Sequence, residues 1–440
     1  MARRVGLKRA AGLTQVVAYG VGNIIGAGIY VLIGAASGLA GGAIWLAFLV
    51  GAVIALFTGL SYAELSALYP KAASEYIYVG RAYGNRLLSF LSEWVMLITE
   101  IVAATAVSLG FAEYFQTIVA IPVQLVAAFL LLLLTAINIM GIRQSLKLNT
   151  ILSGVAVAGL LIVIIAGLPK LGTANYTFSP NGTAGIFGAA ILVFFAYIGF
   201  DNIANLAEET ENPRKTLPRG LLISVAITTV LYVLVGLTSI SLVPYQQLSA
   251  SNAPLATAAS AALGPVAFDI LTFAALATTF NTVLVILIAA SRVTYGMGRE
   301  GALPKVLGKV NKRQAPYVAS IAALLIALAF LPLGKVDLVA RITSFGSLLV
   351  FALVNLALLH LRRVAPKLKR PFKAPLNIGW VSVTGVFGVV SCLALLTQFD
   401  LASLLLGLVL PFSGMAVYIL YNKGLPPSAS ARLHQKHEKR

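Results

Sequence analysis

The sequence predicts an all-α polytopic membrane protein. Hydrophobic residues make up 59% of its 440 residues and charged residues only 10%, whereas soluble globular proteins average about 45–50% and about 25%. The apolar residues gather in runs close to the roughly 20 residues that an α-helix needs to cross about 30 Å of hydrocarbon. The connections between these runs are short, so no soluble domain is predicted.

Twelve such runs are predicted to be transmembrane helices. They are residues 13–36, 42–68, 86–117, 123–141, 146–168, 185–206, 218–243, 265–297, 316–333, 338–361, 376–397 and 400–421. The first run is long, is interrupted by glycine and lacks a small-residue cleavage site, so it is predicted to stay as a helix and not to be a removed signal peptide. The chain then divides into an N-terminus (1–12), five helices (13–168), five more helices (185–361), a last pair (376–421) and a basic tail (422–440).

The distribution of positive charge predicts the orientation in the membrane. The formal net charge is +18. With the N-terminus inside, all but three of the 32 lysines and arginines fall on one side, and the exceptions are Lys170, Lys335 and Arg341. Because cytoplasmic loops carry the excess of lysine and arginine, both termini are predicted to be cytoplasmic, with the protein in the plasma membrane. The basic tail is predicted to contact anionic membrane lipids and not nucleic acid.

Cysteine and histidine are too few for several kinds of chemistry. The one cysteine, Cys392, lies in an apolar run, and the three histidines are His360, His434 and His437. These residues assemble neither a zinc site nor a nucleophile triad with the usual ligands. The sequence therefore predicts a protein that is not an enzyme, holds no cofactor and has no obligate protein partner.

The first apolar run contains two closely spaced glycines about halfway across. Gly26 lies 13 residues after Leu13, roughly 20 Å into the membrane at about 1.5 Å per residue. A break there leaves two half-helix ends, one positive and one negative. The positive end offers the N–H groups of Ala27, Gly28 and Ile29 to a carboxylate, and the negative end offers the carbonyls of Asn23, Ile24 and Ile25 to an ammonium. A small-residue packing face is the alternative interpretation of the glycines.

Motifs along the chain resemble those of the amino acid, polyamine and organocation transporter superfamily. The first is Gly22-Asn-Ile-Ile-Gly-Ala-Gly-Ile-Tyr30, and the second is Phe195-Ala-Tyr-Ile-Gly-Phe-Asp201 in the sixth run. Further similar blocks are Ser61 to Pro70, Ser74 to Tyr78, Glu208 to Pro213 and Arg299 to Pro304. The resemblance is closest to amino acid permeases related to bacterial cationic amino acid transporters.

This resemblance implies a leucine-transporter-like fold. Residues 13–168 and 185–361 would form two inverted five-helix repeats, followed by two C-terminal helices, with helices 1 and 6 broken at the midplane. The implied function is secondary active transport of amino acids by alternating access. An amino acid or polyamine exchanger without ion coupling, and a transporter-like amino acid sensor, are the alternatives.

The resemblance also implies a set of substrate contacts. The carboxylate would bind the N–H groups of Ala27 and Gly28, and the ammonium would bind the carbonyls of Ile24, Phe195 and Ile198. Phe195 would act as a gate over the substrate, and Asn23 would lie beside the substrate side chain. Gly199 belongs to the same predicted break.

Two carboxylates within the apolar runs are predicted to be functional, because an unpaired charge in a membrane is costly. Glu100 would meet a cationic substrate side chain or carry a coupling proton, and a protonated, hydrogen-bonded structural role is the alternative. Asp201 would be a proton-sensitive gate or a helix cap. Glu64, by contrast, is predicted to form a structural salt bridge with a loop arginine.

The coupling ion stays open, with sodium and protons as candidates. Aligned on its glycines, the fifth helix has Ala156 where several proton-coupled relatives and their exchanger cousins carry a lysine, so that group is missing. The eighth helix has the spacing that supplies oxygens to sodium in sodium-coupled members of the superfamily, namely Ala275, Thr278, Thr279, Asn281 and Thr282. Threonine hydroxyls bonded to their own helix backbone are the alternative.

Overall fold

The computed structural model describes residues 11–71, 74–140, 146–208, 210–299 and 301–422. Within these ranges the chain is almost entirely helical. The helices are α1 Leu13–Ile24, α2 Ala27–Ala40, α3 Ile44–Leu68, α4 Ser74–Tyr83, α5 Arg86–Gln116, α6 Val123–Ile139, α7 Leu146–Gly167, α8 Gly182–Phe194, α9 Asn202–Asn205, α10 Pro213–Leu242, α11 Tyr245–Ala250, α12 Pro254–Leu263, α13 Pro265–Arg299, α14 Tyr317–Phe330, α15 Val336–Val364, α16 Val383–Leu396 and α17 Leu401–Asn422. Most of the predicted N-terminal segment and basic tail lies outside the described residues.

Length and hydropathy identify the helices that are able to cross a membrane. Eight segments of the described chain are long and apolar enough by length and composition, and four further apolar helices have 10–17 residues. The protein is therefore an all-α polytopic membrane protein, as predicted. The number of twelve spans and the inverted repeats stay predictions.

Local sequence signals explain several helix starts. Asn85 caps α5, since its side-chain oxygen accepts from the backbone N–H groups of Leu87 and Leu88 at 2.9 and 3.2 Å, as expected for an N-cap asparagine. Pro213 and Pro254 stand at the first position of α10 and α12, where the missing N–H group of proline costs nothing.

The predicted helix at 376–397 begins later than expected. Residues Asn377–Ile378 (β1) and Val381–Ser382 (β2) form a small antiparallel hairpin, and the helix starts only at Val383. Gly379 adopts φ +60 in the turn, a conformation that glycine adopts without strain. The short helices α4, α11 and α12 lie in connections in which the sequence predicted no helix. They are too short, and too polar or too rich in alanine, to be recognised as membrane spans.

Helix α5 lies at the centre of the bundle. It packs against α13 and α15, whereas α3 packs against α10, and α2 packs against α8. In its most apolar stretch 89% of the residues are buried. This arrangement surrounds the two places where helical structure is interrupted.

The first interruption separates α1, which ends at Ile24, from α2, which begins at Ala27. The second follows α8, where a single 3₁₀ turn, Phe195–Tyr197, leads into non-helical residues before α9. The two interruptions are packed together. A Cβ atom built on Gly28 would lie 2.7 Å from Ala196 Cα, so only glycine permits this approach of the two backbones.

The predicted salt bridge of Glu64 is confirmed. Glu64, at the end of α3, pairs with Arg370 in the connection after α15 at 3.0 Å, and also with Arg362 of α15. All three side chains are buried, with exposed fractions of 0%, 8% and 2%. The ion pairs link the first half of the chain to the second.

Candidate functional site

A cavity lies where the two interruptions meet α5, α13 and α15. It encloses about 760 Å³ of empty space, part of which is open to solvent. The cavity wall combines backbone ends, one carboxylate and several apolar side chains.

Most of the residues predicted for a site line this one cavity. They are Asn23, Ile24, Gly26, Ala27, Gly28, Glu100, Phe195, Ile198, Gly199, Asn281 and Thr282. Other predicted residues do not line it, namely Ile25, Ile29, Asp201, Ala275, Thr278 and Thr279. The side chains of Ile25 and Ile29 are 1% exposed and belong to the hydrophobic core. The remaining four are also buried.

The N-terminus of α2 opens onto the cavity. Its N-cap residue is Gly26, which provides no side-chain cap. The first N–H groups of a helix have no partner within the helix, and they carry the positive end of its dipole. Ala27 and Gly28 therefore present backbone donors at the cavity wall, an arrangement that favours an anionic group.

The carbonyl ends of the interruptions are partly occupied. The Tyr232 hydroxyl of α10 lies 2.8 Å from the Ile24 carbonyl and 3.0 Å from the Ala196 carbonyl. The Phe195 carbonyl accepts from the Ile198 N–H at 3.3 Å. The Ile24 carbonyl also accepts from the Gly26 N–H at 2.8 Å. Because a carbonyl oxygen has two lone pairs, Phe195 retains one acceptor position, whereas both positions of Ile24 are filled.

Tyr232 was not predicted from the sequence. A single tyrosine in an apolar run is typical of a packing residue. The two carbonyls that its hydroxyl contacts lie 208 and 36 positions away along the chain. The fold alone reveals that one buried hydroxyl ties both interruptions to α10.

Asn23 joins the two interruptions directly. Its side-chain nitrogen donates to the Gly199 carbonyl at 2.9 Å. Gly199 adopts φ +119, and a Cβ atom there would lie 2.9 Å from the Asn23 carbonyl oxygen. Gly199 is therefore needed for its backbone conformation and for the close approach.

Glu100 of α5 and Asn202 of α9 both line the cavity. Asp201 lies at the second interruption, where its Oδ1 accepts from the Gly199 N–H at 3.0 Å. The side chain of Asp201 does not cap α9, so the predicted cap is wrong. The Asp201 carboxylate instead accepts from the backbone N–H of Gly199, and it makes no hydrogen bond to the N–H groups of α9.

One face of α5 supplies further lining residues that sequence analysis missed. They are Met96, Thr99, Ala103 and Val107. Their spacing around Glu100 is that of one helical face, so helical periodicity applied to Glu100 would have found them. Val285 and Ile286 of α13 and Thr343 of α15 extend this wall.

The hydroxyls of the predicted sodium site bond to their own helix. Thr278 and Thr279 donate to the carbonyls of Ala274 and Ala275 at 2.7 Å, and Thr282 donates to Thr278 at 2.9 Å. This pattern matches the alternative interpretation. The described residues contain no cluster of three or more histidine, cysteine, aspartate or glutamate side chains suited to a metal ion.

Ala156 is fully buried, and its carbonyl accepts from the Tyr30 hydroxyl at 2.6 Å. The Tyr30 carbonyl in turn accepts from the Tyr114 hydroxyl at 3.0 Å. Two buried tyrosines thus tie α2 to α7 and α5 at the position where the resemblance expects a lysine.

A bundle of apolar helices, with interrupted segments around a central cavity of mixed polarity, defines a multi-pass membrane permease. The chain belongs to the amino acid permease family, whose family model matches residues 12–418. It is 32% identical over 445 residues to the branched-chain amino acid permease BcaP of Bacillus subtilis (strain 168), covering 95% of this chain and 94% of the relative.

Two other similar proteins widen the comparison. The methylthioribose transporter of Bacillus subtilis (strain 168) is 31% identical, covering 92% of this chain and 91% of that protein. The vacuolar cationic amino acid transporter 2 of Arabidopsis thaliana is 31% identical, covering 87% of this chain and 64% of its own length. Membership of this family fits a membrane transporter that is not an enzyme.

Proposed function

We propose that this protein is a secondary active transporter that moves amino acids across the plasma membrane by alternating access. The observation that carries the proposal is the uncapped N-terminus of α2, which opens onto the same cavity as Phe195, whose carbonyl retains an acceptor position. A donor end and an acceptor end at one cavity match the carboxylate and ammonium that all amino acids share.

The proposed binding mode follows from the free backbone groups. The substrate carboxylate accepts from the N–H groups of Ala27 and Gly28. The ammonium donates to the remaining acceptor position of the Phe195 carbonyl. The Phe195 side chain, which is 8% exposed and lines the cavity, covers the bound substrate.

The wall beyond this backbone site favours a neutral, apolar substrate side chain. Met96, Ala103, Val107, Val285 and Ile286 line it, and such a surface gains free energy by burying apolar groups. This agrees with the branched-chain amino acid permease among the relatives. A cationic amino acid is the second candidate, because the Glu100 carboxylate stands in the same wall.

Uptake into reconstituted vesicles tests the proposal. We expect saturable accumulation of radiolabelled leucine, with competition by valine and methionine, and a separate arm with arginine and lysine tests the role of Glu100. Sodium and pH gradients are imposed singly to identify the coupling ion. If no amino acid of any side-chain class binds or enters, the proposal fails. Binding without transport would indicate a sensor, and uptake that requires amino acid loaded inside the vesicle but neither ion gradient would indicate an exchanger.

A further inference from the structure

The small hairpin before α16 exposes three large apolar side chains. Leu376, Ile378 and Trp380 are 66%, 74% and 48% exposed, and they stand at alternate positions of a five-residue stretch. This stretch lies outside the apolar helices that are candidates for crossing the membrane. Large apolar side chains that gather on a surface indicate a contact with a membrane or with another protein.

Helix lengths indicate the level of the hairpin in the membrane. Helix α17 has 22 residues and α16 only 14, which is about 33 Å and about 21 Å at about 1.5 Å per residue. Only residues 397–400 join the two helices, so both reach the same membrane surface. Helix α17 is long enough for roughly 30 Å of hydrocarbon, whereas the N-terminus of α16 stops about 9 Å short of the opposite boundary. The hairpin is attached there, and it therefore lies at the membrane interface.

The hairpin pairs its own backbone groups. Asn377 pairs with Ser382, and Ile378 pairs with Val381. The Val383 N–H donates to the Leu376 carbonyl at 3.0 Å. Non-helical backbone at the edge of the hydrocarbon is costly when its polar groups have no partners. The paired arms can therefore lie against lipid.

Leu376 has an unfavourable backbone conformation for an exposed leucine. Its φ is +57, in the left-handed region that bulky residues rarely adopt. Burial of a leucine side chain would offset this cost, but within the protein the Leu376 side chain stays exposed. Contact with lipid hydrocarbon would supply the missing burial.

The segment that leads into the hairpin is basic. Arg363, Lys367, Lys369 and Lys373 are exposed, and residues 363–382 contain no aspartate or glutamate. None of the four forms an ion pair in the part of the chain that the structure describes. The charge distribution predicts that this face is cytoplasmic, and the cytoplasmic leaflet carries anionic lipids that attract lysine and arginine.

We propose that the hairpin and the basic segment before it form an interfacial anchor that binds anionic phospholipid. Leu376, Ile378 and Trp380 enter the leaflet, and the neighbouring lysines contact the lipid phosphates. Tryptophan suits this position, because its ring is apolar and its N–H can donate to a headgroup. The anchor is separate from the basic tail at 422–440, and it combines apolar and basic side chains on one element.

The anchor is connected to the buried ion pairs of Glu64. The Asn377 side-chain oxygen accepts from the Arg362 guanidinium, and its nitrogen donates to the Ala374 carbonyl at 2.9 Å. The Ala374 N–H donates to the Glu64 carboxylate at 2.8 Å. Lipid bound at the hairpin would therefore support the residues that hold Glu64, and we expect it to raise the unfolding temperature.

The depth of the hairpin is tested with a fluorescent label. The one cysteine of the chain, Cys392, is fully buried, so a thiol introduced at the surface takes the label. Ile378→Cys is labelled and placed in nanodiscs of phosphatidylcholine and phosphatidylglycerol whose acyl chains carry a nitroxide quencher. The control is Glu211→Cys, an exposed position before α10, whose 30 residues span about 45 Å and exceed the hydrocarbon.

We expect strong quenching at Ile378→Cys and little at Glu211→Cys. Quenching at Ile378→Cys as weak as at Glu211→Cys would overturn the anchor. Cross-linking of Ile378→Cys between two copies of the chain without quenching would also overturn it, because the apolar surface would then be a protein contact.

The basic half of the anchor is tested by the unfolding temperature in detergent at low salt. Phosphatidylglycerol is expected to raise the unfolding temperature of the native protein more than phosphatidylcholine does, since a ligand of the folded state stabilises it. Replacing Lys367, Lys369 and Lys373 together by glutamine should weaken phosphatidylglycerol binding by roughly fivefold for each lysine.

The matched control removes the same number of charges from the start of α10, where Arg214, Lys215 and Arg219 are also exposed. This control is expected to keep the preference for phosphatidylglycerol. An equal loss in both triple variants, or a native protein that does not distinguish the two lipids, would overturn the anchor. Neither readout depends on the proposed function, because lipid contact and unfolding are measured without transport.

Discussion

At the residue scale, Gly28 shows how little room the site leaves. A Cβ atom at this position would lie 2.7 Å from Ala196 Cα and 2.9 Å from Ala196 Cβ. Backbone atoms cannot move aside as a flexible side chain does, so even alanine forces the two interruptions apart. Overpacking of this kind costs typically about 1–3 kcal/mol.

We therefore expect Gly28→Ala to lower the thermal unfolding temperature and to abolish amino acid uptake. The matched control is Gly154→Ala in α7, where a Cβ atom would meet nothing within 4 Å. Thermal unfolding in detergent and uptake in vesicles measure both variants. A Gly28→Ala protein with native stability and uptake would show that the two backbones are not in contact.

A second residue-scale prediction concerns Glu75 and pH. Because burial raises the pKa of Glu75, the folded protein favours the neutral carboxyl more than the unfolded chain does. Below the unfolded pKa, the ionisation of Glu75 does not change the free energy of unfolding. As pH rises from the unfolded pKa through the raised folded pKa, the ionisation of Glu75 lowers the free energy of unfolding. Glu75→Gln removes this loss.

The expected result is that Glu75→Gln unfolds at a higher temperature than the native protein, with a difference that grows from acid to neutral pH. Thermal unfolding at a series of pH values, with Glu211→Gln beside it, measures the difference. A difference that stays constant across the series would contradict the raised pKa.

At the element scale, Tyr232 joins α10 to both interruptions through one hydroxyl. Tyr232→Phe keeps the ring, which packs on Phe48 and Tyr197, and leaves the two buried carbonyls without this donor. Losing a buried hydrogen-bond partner costs about 1–3 kcal/mol.

We expect Tyr232→Phe to lose stability in this range and to bind substrate more weakly, since the ends of α1 and the 3₁₀ turn are held less firmly. Equilibrium binding and thermal unfolding measure the two effects. Tyr421→Phe, which alters a tyrosine that is 50% exposed, is the control. Unchanged binding and stability in Tyr232→Phe would show that the Tyr232 hydroxyl does not stabilise the site.

The elements also show which features the sequence determines locally. The span predicted at 86–117 is α5, Arg86–Gln116, because apolar length and the Asn85 cap are both local signals. The hairpin at 377–382 depends instead on the turn at Gly379. A prediction based on runs of apolar residues does not detect this turn. At the site, the glycines that permit a close approach are visible in the sequence. Tyr232 is not, since its importance comes only from partners distant along the chain.

At the scale of the whole molecule, the buried ion pairs of Glu64 join the first predicted repeat, 13–168, to the segment directly after the second predicted repeat, 185–361. Arg362 of α15 is 2% exposed and reaches Glu64 of α3, and its guanidinium also contacts Asn377 of the hairpin. Loss of one partner from a buried pair typically costs about 3–5 kcal/mol. Under the proposed alternating access, this face of the molecule would open, and these contacts would then separate or move together.

Arg362→Met is therefore expected to destabilise the protein by a few kcal/mol, on the order of the cost of breaking a buried pair, and to leave Glu64 with Arg370 alone. Arg363→Met changes the neighbouring arginine, which is exposed, and is expected to change stability little, since exposed charges contribute about 0–1 kcal/mol. Thermal unfolding compares the two variants, and substrate counterflow shows whether the weakened face alters exchange. Equal stabilities would mean that the ion pairs do not hold the halves together, because two adjacent arginines with opposite burial would then contribute alike.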